Sequence, residues 1–438
     1  MASDRPERVT AEEYYSIART TPTLVGVVGS SHPVAVVGAG AAGTMAAIFA
    51  AESGRDVLLL ESTNNGARKI VISGGGRCNV LPSRVRPSQF VTASSPNALK
   101  KILLSWPLPE QRSFFEETLG IPLALEEETG KLFPVSNRSR DVRDALYDHA
   151  RGLGVEIAFD TRVTGLKPPV SDRPWRVEHA GGEISARAVV LATGGLSVPA
   201  SGSDGAGLRI AERLGHTIHP TYPALTPLVC DPPRHADLAG ISLAVEIAAP
   251  LPRGRFATRG GFLFTHRGYS GPAVLDISHL AVLSLMDGGD PQEIHVQWTA
   301  AGAEEWDRRL REGGSGSVGP LVRRELPDRL ADRLLDEAGV DPARPLAGVT
   351  REERISLVEV LARYPLPWTG DEGYRKAEVT GGGIALSEIH PRTLESRLRP
   401  GLHLCGEMLD AFGPIGGYNF FWGWATGRAA GRGAAHAA

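Results

Sequence analysis

The fold is decided by residues 34–61, which begin Val-Ala-Val-Val-Gly-Ala-Gly-Ala-Ala-Gly and end Val-Leu-Leu-Leu-Glu. The apolar start predicts a buried strand. The glycines that follow suit a tight turn, a close approach of a pyrophosphate to the backbone, and packing of a helix on the sheet. They are Gly38, Gly40 and Gly43. The helix N-terminus offers free N–H groups to phosphates. Glu61, at the end of the next strand, is placed to accept both ribose hydroxyls of an adenosine, so the stretch predicts a dinucleotide-binding βαβ unit.

The composition is typical of a soluble globular protein. The chain has 438 residues, too many for one compact core, with 42 % hydrophobic residues and a formal net charge of −3. This charge gives no reason to expect a nucleic-acid or membrane partner. The cysteines form no Cys-x-x-Cys pair, so no metal site is expected. Residues 1–32 lack the apolar core of a secretory signal, and no segment approaches the ~20 apolar residues of a membrane span. We therefore expect a cytoplasmic protein that acts on a small-molecule substrate.

The pattern predicts a discontinuous α/β domain interrupted by an insert. Residues 1–32 are interpreted as an N-terminal extension. Residues 33–204 and 371–438 are assigned to the dinucleotide-binding domain. Residues 205–370, between these two parts, contain no second glycine fingerprint after a strand and are interpreted as an inserted domain.

Within the insert, short apolar strands predict a β-rich part over 205–312, and helical periodicity predicts a small helical part over 318–365. In the first domain, helices are expected near 96–119 and over 139–152. The Gly/Ala-rich end of the chain, from Arg428 onward, is expected to fray.

A second glycine-rich segment, residues 66–79, directly follows the predicted ribose-binding strand. Its successive glycines expose backbone N–H groups, while Arg68, Lys69 and Arg77 offer cations to a phosphate or a flavin carbonyl. The alternative is a solvated turn, but the position at a strand end favours contact with a ligand. Cys78 in this segment is interpreted as a buried structural thiol more readily than as a reactive one.

Two further strand ends have the pattern of a cofactor site. A buried strand runs into Thr193-Gly194-Gly195, although a tight turn is an equal interpretation. Near the C-terminus, an apolar strand leads to Gly406-Glu407, then to Asp410 and to a helix that opens at 416–419. Asp410 can accept hydrogen bonds from ribityl hydroxyls, and the helix N-terminus can stabilise negative charge on a reduced flavin.

The sequence resembles the BaiN/YhiN-type flavoproteins, also labelled the aminoacetone oxidase family of FAD-binding enzymes. The resemblance lies in the segments described above and in Phe262–Pro272 and Val379–Gly383. The resemblance spans about 34–431. It implies a Rossmann-like FAD-binding domain, an insert with a β-barrel-like part and a small helical part, and FAD held without a covalent bond. The chain departs from the family pattern at Val80-Leu81-Pro82 and in the apolar residues after Asp410, so its substrate can differ.

The candidate site residues combine these motifs with the resemblance. The residues expected to contact FAD are Gly38, Gly40, Ala42, Gly43, Glu61, Ser62, Arg68, Lys69, Ser73, Gly75, Gly76, Arg77, Cys78, Asn79, Val163, Thr193, Gly194, Gly406, Glu407, Asp410, Gly417, Tyr418 and Asn419. For catalysis, His266 and Tyr269 are candidates because a histidine or a phenol in a shaped loop can transfer a proton alongside a hydride. The alternative for both residues is a structural role in joining the insert to the first domain.

The leading hypothesis is an FAD-dependent oxidoreductase that moves a hydride between flavin N5 and a small or hydrophobic substrate, in a desaturation or the reverse reduction. The sequence contains no second nucleotide-binding unit, which argues against a dedicated NAD(P)H domain, but NAD(P)H can still act as a transient reductant by entering the substrate cavity. The alternative is an oxidase or monooxygenase that uses dioxygen. A more remote alternative is a non-enzymatic flavin-binding or nucleic-acid-associated protein, motivated by Arg323-Arg324; the acidic residues that follow indicate a solvated helix face instead. The sequence gives no prediction of the oligomeric state.

Overall fold

The computed structural model describes residues 31–171, 173–286 and 288–438, and the predicted extension over 1–32 lies almost wholly outside them. In the first half, the elements are β1 (Ser31–Val37), α1 (Ala41–Glu52), β2 (Val57–Leu60), α2 (Arg68–Gly76), β3 (Leu81–Pro82), α3 (Pro96–Leu103), α4 (Leu108–Ser113), β4 (Leu123–Glu126), β5 (Lys131–Pro134), α5 (Ser139–Gly152), β6 (Glu156–Ala158), β7 (Val163–Lys167), β8 (Trp175–His179), β9 (Gly182–Leu191) and α6 (Ala206–Arg213). In the second half, they are β10 (Ile218–Ala224), β11 (Leu228–Val229), β12 (Ser242–Pro250), β13 (Arg255–Phe264), β14 (Gly268–Ser270), α7 (Pro272–Met286), β15 (His295–Gln297), α8 (Ala303–Glu312), α9 (Val318–Arg323), α10 (Asp328–Ala338), α11 (Arg351–Ala362), β16 (Tyr364–Pro365), β17 (Gly370–Asp371), β18 (Val379–Ile384), β19 (Leu402–Leu404) and α12 (Tyr418–Ala437).

The first domain is built on a sheet of order β6-β2-β1-β9-β8-β7, with β19 also paired to β9. Strand β1 is parallel to β2 and to β9, and its residues Val34, Ala35 and Val36 are fully buried. Continuous apolar runs are expected in parallel strands that are covered on both faces. The dinucleotide-binding unit that the sequence predicts is therefore present, with its α/β fold.

The C-terminal helix α12 packs lengthwise on α1 through glycines. A Cβ atom at Gly427 would overlap the carbonyl oxygen of Ala42, and one at Gly431 would overlap that of Ala46. The prediction of a frayed end is therefore wrong, because α12 continues to Ala437 and buries its alanines against α1 and the sheet. Glycines one helical turn apart allow the two backbones to approach closely.

The insert has a second hydrophobic core. Its seven-stranded antiparallel sheet has the order β16-β15-β12-β13-β14-β11-β17, and in the described ranges the outer strands β16 and β17 do not pair with each other. Helix α7 lies against β13 and β12, and helices α8 to α11 form the helical part. The core is rich in aromatic side chains: Phe264 stacks on Trp298, and Phe262 meets both rings edge to face.

Several local predictions differ from the structure. Residues 206–213 form α6, which packs with the first core although the prediction starts the insert at 205. The expected helix over 96–119 is interrupted between α3 and α4, where Pro107 follows Trp106. The segment 66–79, expected as a loop, contains α2, which loses helical backbone angles at Ser73. No helix in the described ranges is long and apolar enough to cross a membrane.

Candidate functional site

A cavity of about 680 Å³ opens at the carboxyl ends of β1, β2 and β9, where Val37, Leu60 and Ala192 form part of its wall. Ligands of open α/β sheets bind at this edge, where the chain leaves neighbouring strands in opposite directions. Most of the predicted cofactor residues line it, namely Gly38, Gly40, Ala42, Glu61, Ser62, Arg68, Lys69, Ser73, Gly75, Arg77, Asn79, Val163, Thr193, Gly194, Gly406, Glu407, Gly417 and Asn419. Gly43, Gly76, Cys78, Asp410 and Tyr418 are not part of the lining.

The glycines at the start of α1 leave room for a phosphate group. Gly38 has a φ of +102°, and a Cβ atom at Gly43 would overlap the carbonyl oxygen of Gly38. A Cβ atom at Gly40, by contrast, would meet no atom within 4 Å, because this position faces the cavity. No side chain caps α1, so its first N–H groups are available to an anion. This arrangement fits the pyrophosphate of a dinucleotide.

The Glu61 carboxylate is buried and oriented by its neighbours. Its Oε2 accepts a hydrogen bond from Ala39 N–H at 2.9 Å, and its Oε1 accepts from Thr63 N–H at 2.8 Å and Thr63 Oγ1–H at 2.7 Å. The carboxylate has further lone pairs for the cavity that it lines. It can therefore accept from ribose hydroxyls, the role that we predict for it.

In segment 66–79 the cationic groups hold the cavity wall together. The Arg68 guanidinium donates to Asn64, Asn65 and the carbonyl of Ala200. Arg77 donates to Glu126 at 3.0 Å and lies over the Phe133 ring, 3.9 Å from its centroid. These bonds fix both guanidinium groups at the rim of the cavity.

Two residues of the wall each have a buried oxygen without a hydrogen-bond partner. Among the described residues, neither Thr193 Oγ1 nor Asn79 Oδ1 has a hydrogen-bond partner. Buried polar atoms are rarely left without a partner, so a bound ligand is a natural one. Cys78 next to Asn79 is fully buried, and burial raises the pKa of its thiol to about 12. This thiol has a structural place in the core and does not reach the cavity.

Glu407 is the centre of a polar cluster at one side of the cavity. Its carboxylate accepts from Lys69 Nζ at 2.6 Å, from Ser197 Oγ at 2.5 Å, and from the N–H and Oγ1 of Thr380. Thr380 Oγ1 in turn accepts from Leu196 N–H at 2.7 Å. The cluster joins α2, the chain after β9 and β18 into one wall.

Asp410 does not reach the cavity, which is a correction to the role that we predict for it. The carboxylate is 1 % exposed, and its Oδ2 accepts from Thr92 Oγ1, Ser94 N–H and Ser94 Oγ. Asn419 holds the turn before α12 by a pair of hydrogen bonds to Gly413. The Tyr418 hydroxyl oxygen accepts a hydrogen bond from Gln89 Nε2 outside the cavity. Asp410 therefore organises the loop rather than contacting the ligand.

The two predicted catalytic residues, His266 and Tyr269, also lie away from the cavity. His266 is exposed in the turn between β13 and β14. Tyr269 is fully buried in the insert, where its hydroxyl pairs with His235 Nδ1 at 2.8 Å and burial raises its pKa. This geometry gives Tyr269 a place in the core of the insert, and these contacts do not join the insert to the first domain.

Sequence reasoning missed some of the residues that close the other side of the cavity. Lys131 and Phe133 come from β5, and Glu378 comes from the chain just before β18. Phe412 and Ile415, which belong to the apolar residues after Asp410 that the sequence singled out, line the same side. Glu378 directly precedes the Val379–Gly383 run that carries part of the resemblance, which was an available signal. Nothing in the sequence pointed to β5, because it belongs to a separate three-stranded sheet.

Comparison with known proteins identifies the family of this chain. The family model described as the HI0933-like protein Rossmann domain matches residues 32–433. A ribosomal RNA dihydrouridine synthase of Escherichia coli is 32 % identical over 89 % of this chain and 95 % of its own length. A 3-dehydro-bile acid delta(4,6)-reductase of Clostridium scindens is 31 % identical over 92 % of this chain and 98 % of its own.

Among solved structures, a 3-ketosteroid delta1-dehydrogenase of Sterolibacterium denitrificans superposes with a TM-score of 0.51. It is 12 % identical and covers 93 % of this chain and 100 % of its own, so the likeness concerns the fold alone. The family match and the full-length relatives confirm the resemblance to BaiN/YhiN-type flavoproteins. The chain belongs to the HI0933-like family and is an FAD-dependent oxidoreductase.

Proposed function

We propose that this chain catalyses the reduction of a carbon–carbon double bond conjugated to a carbonyl group. When bound, FAD supplies the redox chemistry, since its reduced form donates a hydride. The names of two relatives support this direction. A dihydrouridine is a uridine whose ring double bond, conjugated to a carbonyl, has been saturated, and a delta(4,6)-reductase of a 3-dehydro bile acid saturates double bonds next to a ketone.

The observation that carries the proposal is the mixed wall of the cavity beyond the glycines of α1. Apolar groups of Phe133, Phe412 and Ile415 lie in the same wall as the charged Lys131 and Glu378. Flat conjugated rings bind well between apolar side chains, with a few polar groups to orient a carbonyl. The same residues exclude water from a hydride transfer.

The residues of the glycine motif and of segment 66–79 would hold the cofactor. Gly38, Gly40 and the N-terminus of α1 would bind the pyrophosphate, and Glu61 the ribose. Arg77, Asn79 and Thr193 would bind polar atoms further along the cavity. We propose NADH or NADPH as the electron source, entering the same cavity, because no second glycine fingerprint follows a strand in the sequence.

The sequence led us to expect no nucleic-acid partner, but the names of relatives from two bacteria make RNA a substrate to test. The substrate pair to compare is therefore a uridine in ribosomal RNA and a 3-keto-4-ene steroid. An oxidase or monooxygenase remains the alternative. No feature of the described residues favours it over the reductase.

The test starts with the purified yellow protein mixed anaerobically with NADH and, separately, NADPH in a stopped-flow instrument. We expect bleaching of the flavin band, followed by recovery when the steroid enone or the RNA is added, and mass spectrometry should show a product heavier by two hydrogens. A saturated ketosteroid is the matched control and should leave the reduced flavin bleached. Failure of both the steroid enone and the RNA to restore the flavin band, or bleaching of the oxidised flavin by the saturated steroid, would contradict the proposal.

A further inference from the structure

Four acidic side chains line the cavity, and they differ in how their carboxylates are held. Those of Glu61 and Glu407 accept several hydrogen bonds each, as described above. Asp204 pairs with Arg162 and accepts from Ala206 N–H. In the described part of the chain, no hydrogen bond or ion pair holds the Glu378 carboxylate, although it lines the cavity. Among the acidic groups of the wall, this carboxyl is therefore the one that remains available to a ligand.

The main chain of Glu378 is nevertheless fixed. Its N–H donates to the carbonyl of Leu225 at 3.1 Å, and its carbonyl accepts from Ser197 Oγ at 3.3 Å. The next residue begins β18, which pairs with β10. A group that transfers a proton must be held at a fixed position, and its carboxyl must be free to contact the substrate. The fixed main chain and the unpaired side chain of Glu378 meet these two requirements.

The charges around Glu378 come from three directions. The Glu378 side chain is exposed to the open cavity. Lys69 on α2 and Lys131 on β5 lower its pKa, while the surrounding wall, which removes part of its hydration, raises the pKa more than the lysines lower it. The third group, Glu407, lies behind Ser197, whose hydroxyl contacts both its carboxylate and the main chain of Glu378. The net effect is a raised pKa, so Glu378 holds its proton to a higher pH than an ordinary glutamate.

We propose that Glu378 is the proton donor for the reduction, an inference that rests on the proposed function above. As the hydride reaches the β carbon of the conjugated substrate, the π electrons of the double bond form a C–H bond at the α carbon with the Glu378 proton. The carboxyl O–H bond breaks, leaving a carboxylate and oxidised cofactor. Water then returns a proton to the carboxylate, and the nicotinamide returns the hydride.

The test compares Glu378→Gln and Glu378→Asp with a matched control, Glu372→Gln. Glu372 precedes the same strand but does not line the cavity. For reduced enzyme mixed with a conjugated substrate, we expect Glu378→Gln to slow reoxidation by about 100-fold or more, the range of a lost general acid. Glu378→Asp should be intermediate, and Glu372→Gln unchanged. The wild-type rate should fall as the pH rises above the pKa of Glu378, because the protonated form is the donor, and the Glu378→Gln rate should be independent of pH.

A second readout does not depend on turnover. Binding of 2,4-dinitrophenolate, an anion throughout the tested range, is followed by absorbance with the oxidised holoenzyme. We expect its affinity for wild type to fall as the pH rises and Glu378 ionises, since like charges repel, and to stay constant for Glu378→Gln. The FAD affinity of the two proteins should be equal.

The outcomes separate the two proposals. If wild type reduces the substrate and Glu378→Gln keeps both its rate and its pH profile, the proton donor is wrong and the proposed function stands. If no conjugated substrate reoxidises the wild-type flavin, both are overturned. If Glu378→Gln does not fold, Glu378→Ala takes its place, because a wild-type rate and a wild-type pH profile in a variant that has no carboxyl at this position would contradict the role of Glu378.

Discussion

The two ends of the cavity are built in opposite ways. The glycine end, lined by Gly38, Gly40 and Glu61 and supported by Gly43, which packs against Gly38, comes from one βαβ unit. The carboxylate end, formed by Lys131, Glu378, Phe412 and Ile415, comes from separate segments that meet only after folding. The first end is therefore sensitive to added volume, and the second to the loss of particular side chains and charges.

The largest effect is expected for Gly43→Ala at the glycine end. The new Cβ would overlap the main-chain oxygen of Gly38, which cannot move without separating α1 from β1. We expect a loss of about 3 kcal/mol in the free energy of unfolding, together with loss of FAD binding. Thermal unfolding of the apoprotein measures the change in stability, and quenching of FAD fluorescence measures FAD binding. A variant with wild-type stability would mean that the backbone contact is not needed.

The matched variant Gly40→Ala separates cofactor binding from folding. Its Cβ would point into open space, and Gly40 has a φ of −82°, which alanine adopts without strain. We expect the unfolding free energy to stay within about 1 kcal/mol of wild type, while FAD affinity falls by on the order of tenfold or more because the methyl group occupies the phosphate space. Unchanged FAD affinity would place the pyrophosphate elsewhere.

Between the two ends, the Lys69–Glu407 pair is expected to have a moderate effect. The two side chains are 24 % and 17 % exposed, and their charged atoms are 2.6 Å apart. A double-mutant cycle with Lys69→Met and Glu407→Gln should give a coupling free energy of about 1–2 kcal/mol, since the pair is partly desolvated. Chemical denaturation of the four proteins measures it. A coupling near zero would show that Ser197 and Thr380 hold Glu407 without the lysine.

The smallest effect is expected at Asp276, which supports the carboxylate end from α7. Its Oδ1 accepts from Ile415 N–H at 2.8 Å, and burial raises its pKa from 3.8 to about 6. The folded protein therefore binds the proton more tightly than the unfolded chain, so the stability from this group is present below the unfolded pKa and is lost as the pH rises through about 6.

The variant Asp276→Asn cannot lose a proton and should lack this pH dependence. We expect wild type to lose about 1 kcal/mol relative to the variant between pH values of about 4 and about 8, because the carboxyl is partly exposed and solvent screens its charge. Denaturation curves of both proteins across this range test it. If the stabilities of wild type and Asp276→Asn changed with pH in the same way over this range, Asp276 would be ionised throughout it, and its pKa would not be raised.

How far the sequence predicted this molecule depends on how local each feature is. The strand, turn and helix of residues 34–61 follow from a hydrophobic run and from glycines at fixed spacing, so the glycine end was predictable. The position of Asp410 outside the cavity was not predictable, because the partners of its carboxylate, Thr92 and Ser94, lie far away in the sequence. For the same reason Tyr269, on a glycine-rich turn, gave no sign that it faces His235 in the core of the insert.

By itself, the sequence determined the dinucleotide-binding unit, the family and the class of cofactor, because these depend on contiguous backbone geometry that only glycine and small residues permit. The tertiary structure alone decided which charged groups meet at the far side of the cavity. The Glu407 carboxylate is held by hydrogen bonds and the Glu378 carboxylate is not. This difference depends on side chains from distant segments, so it cannot be predicted from the sequence around either residue.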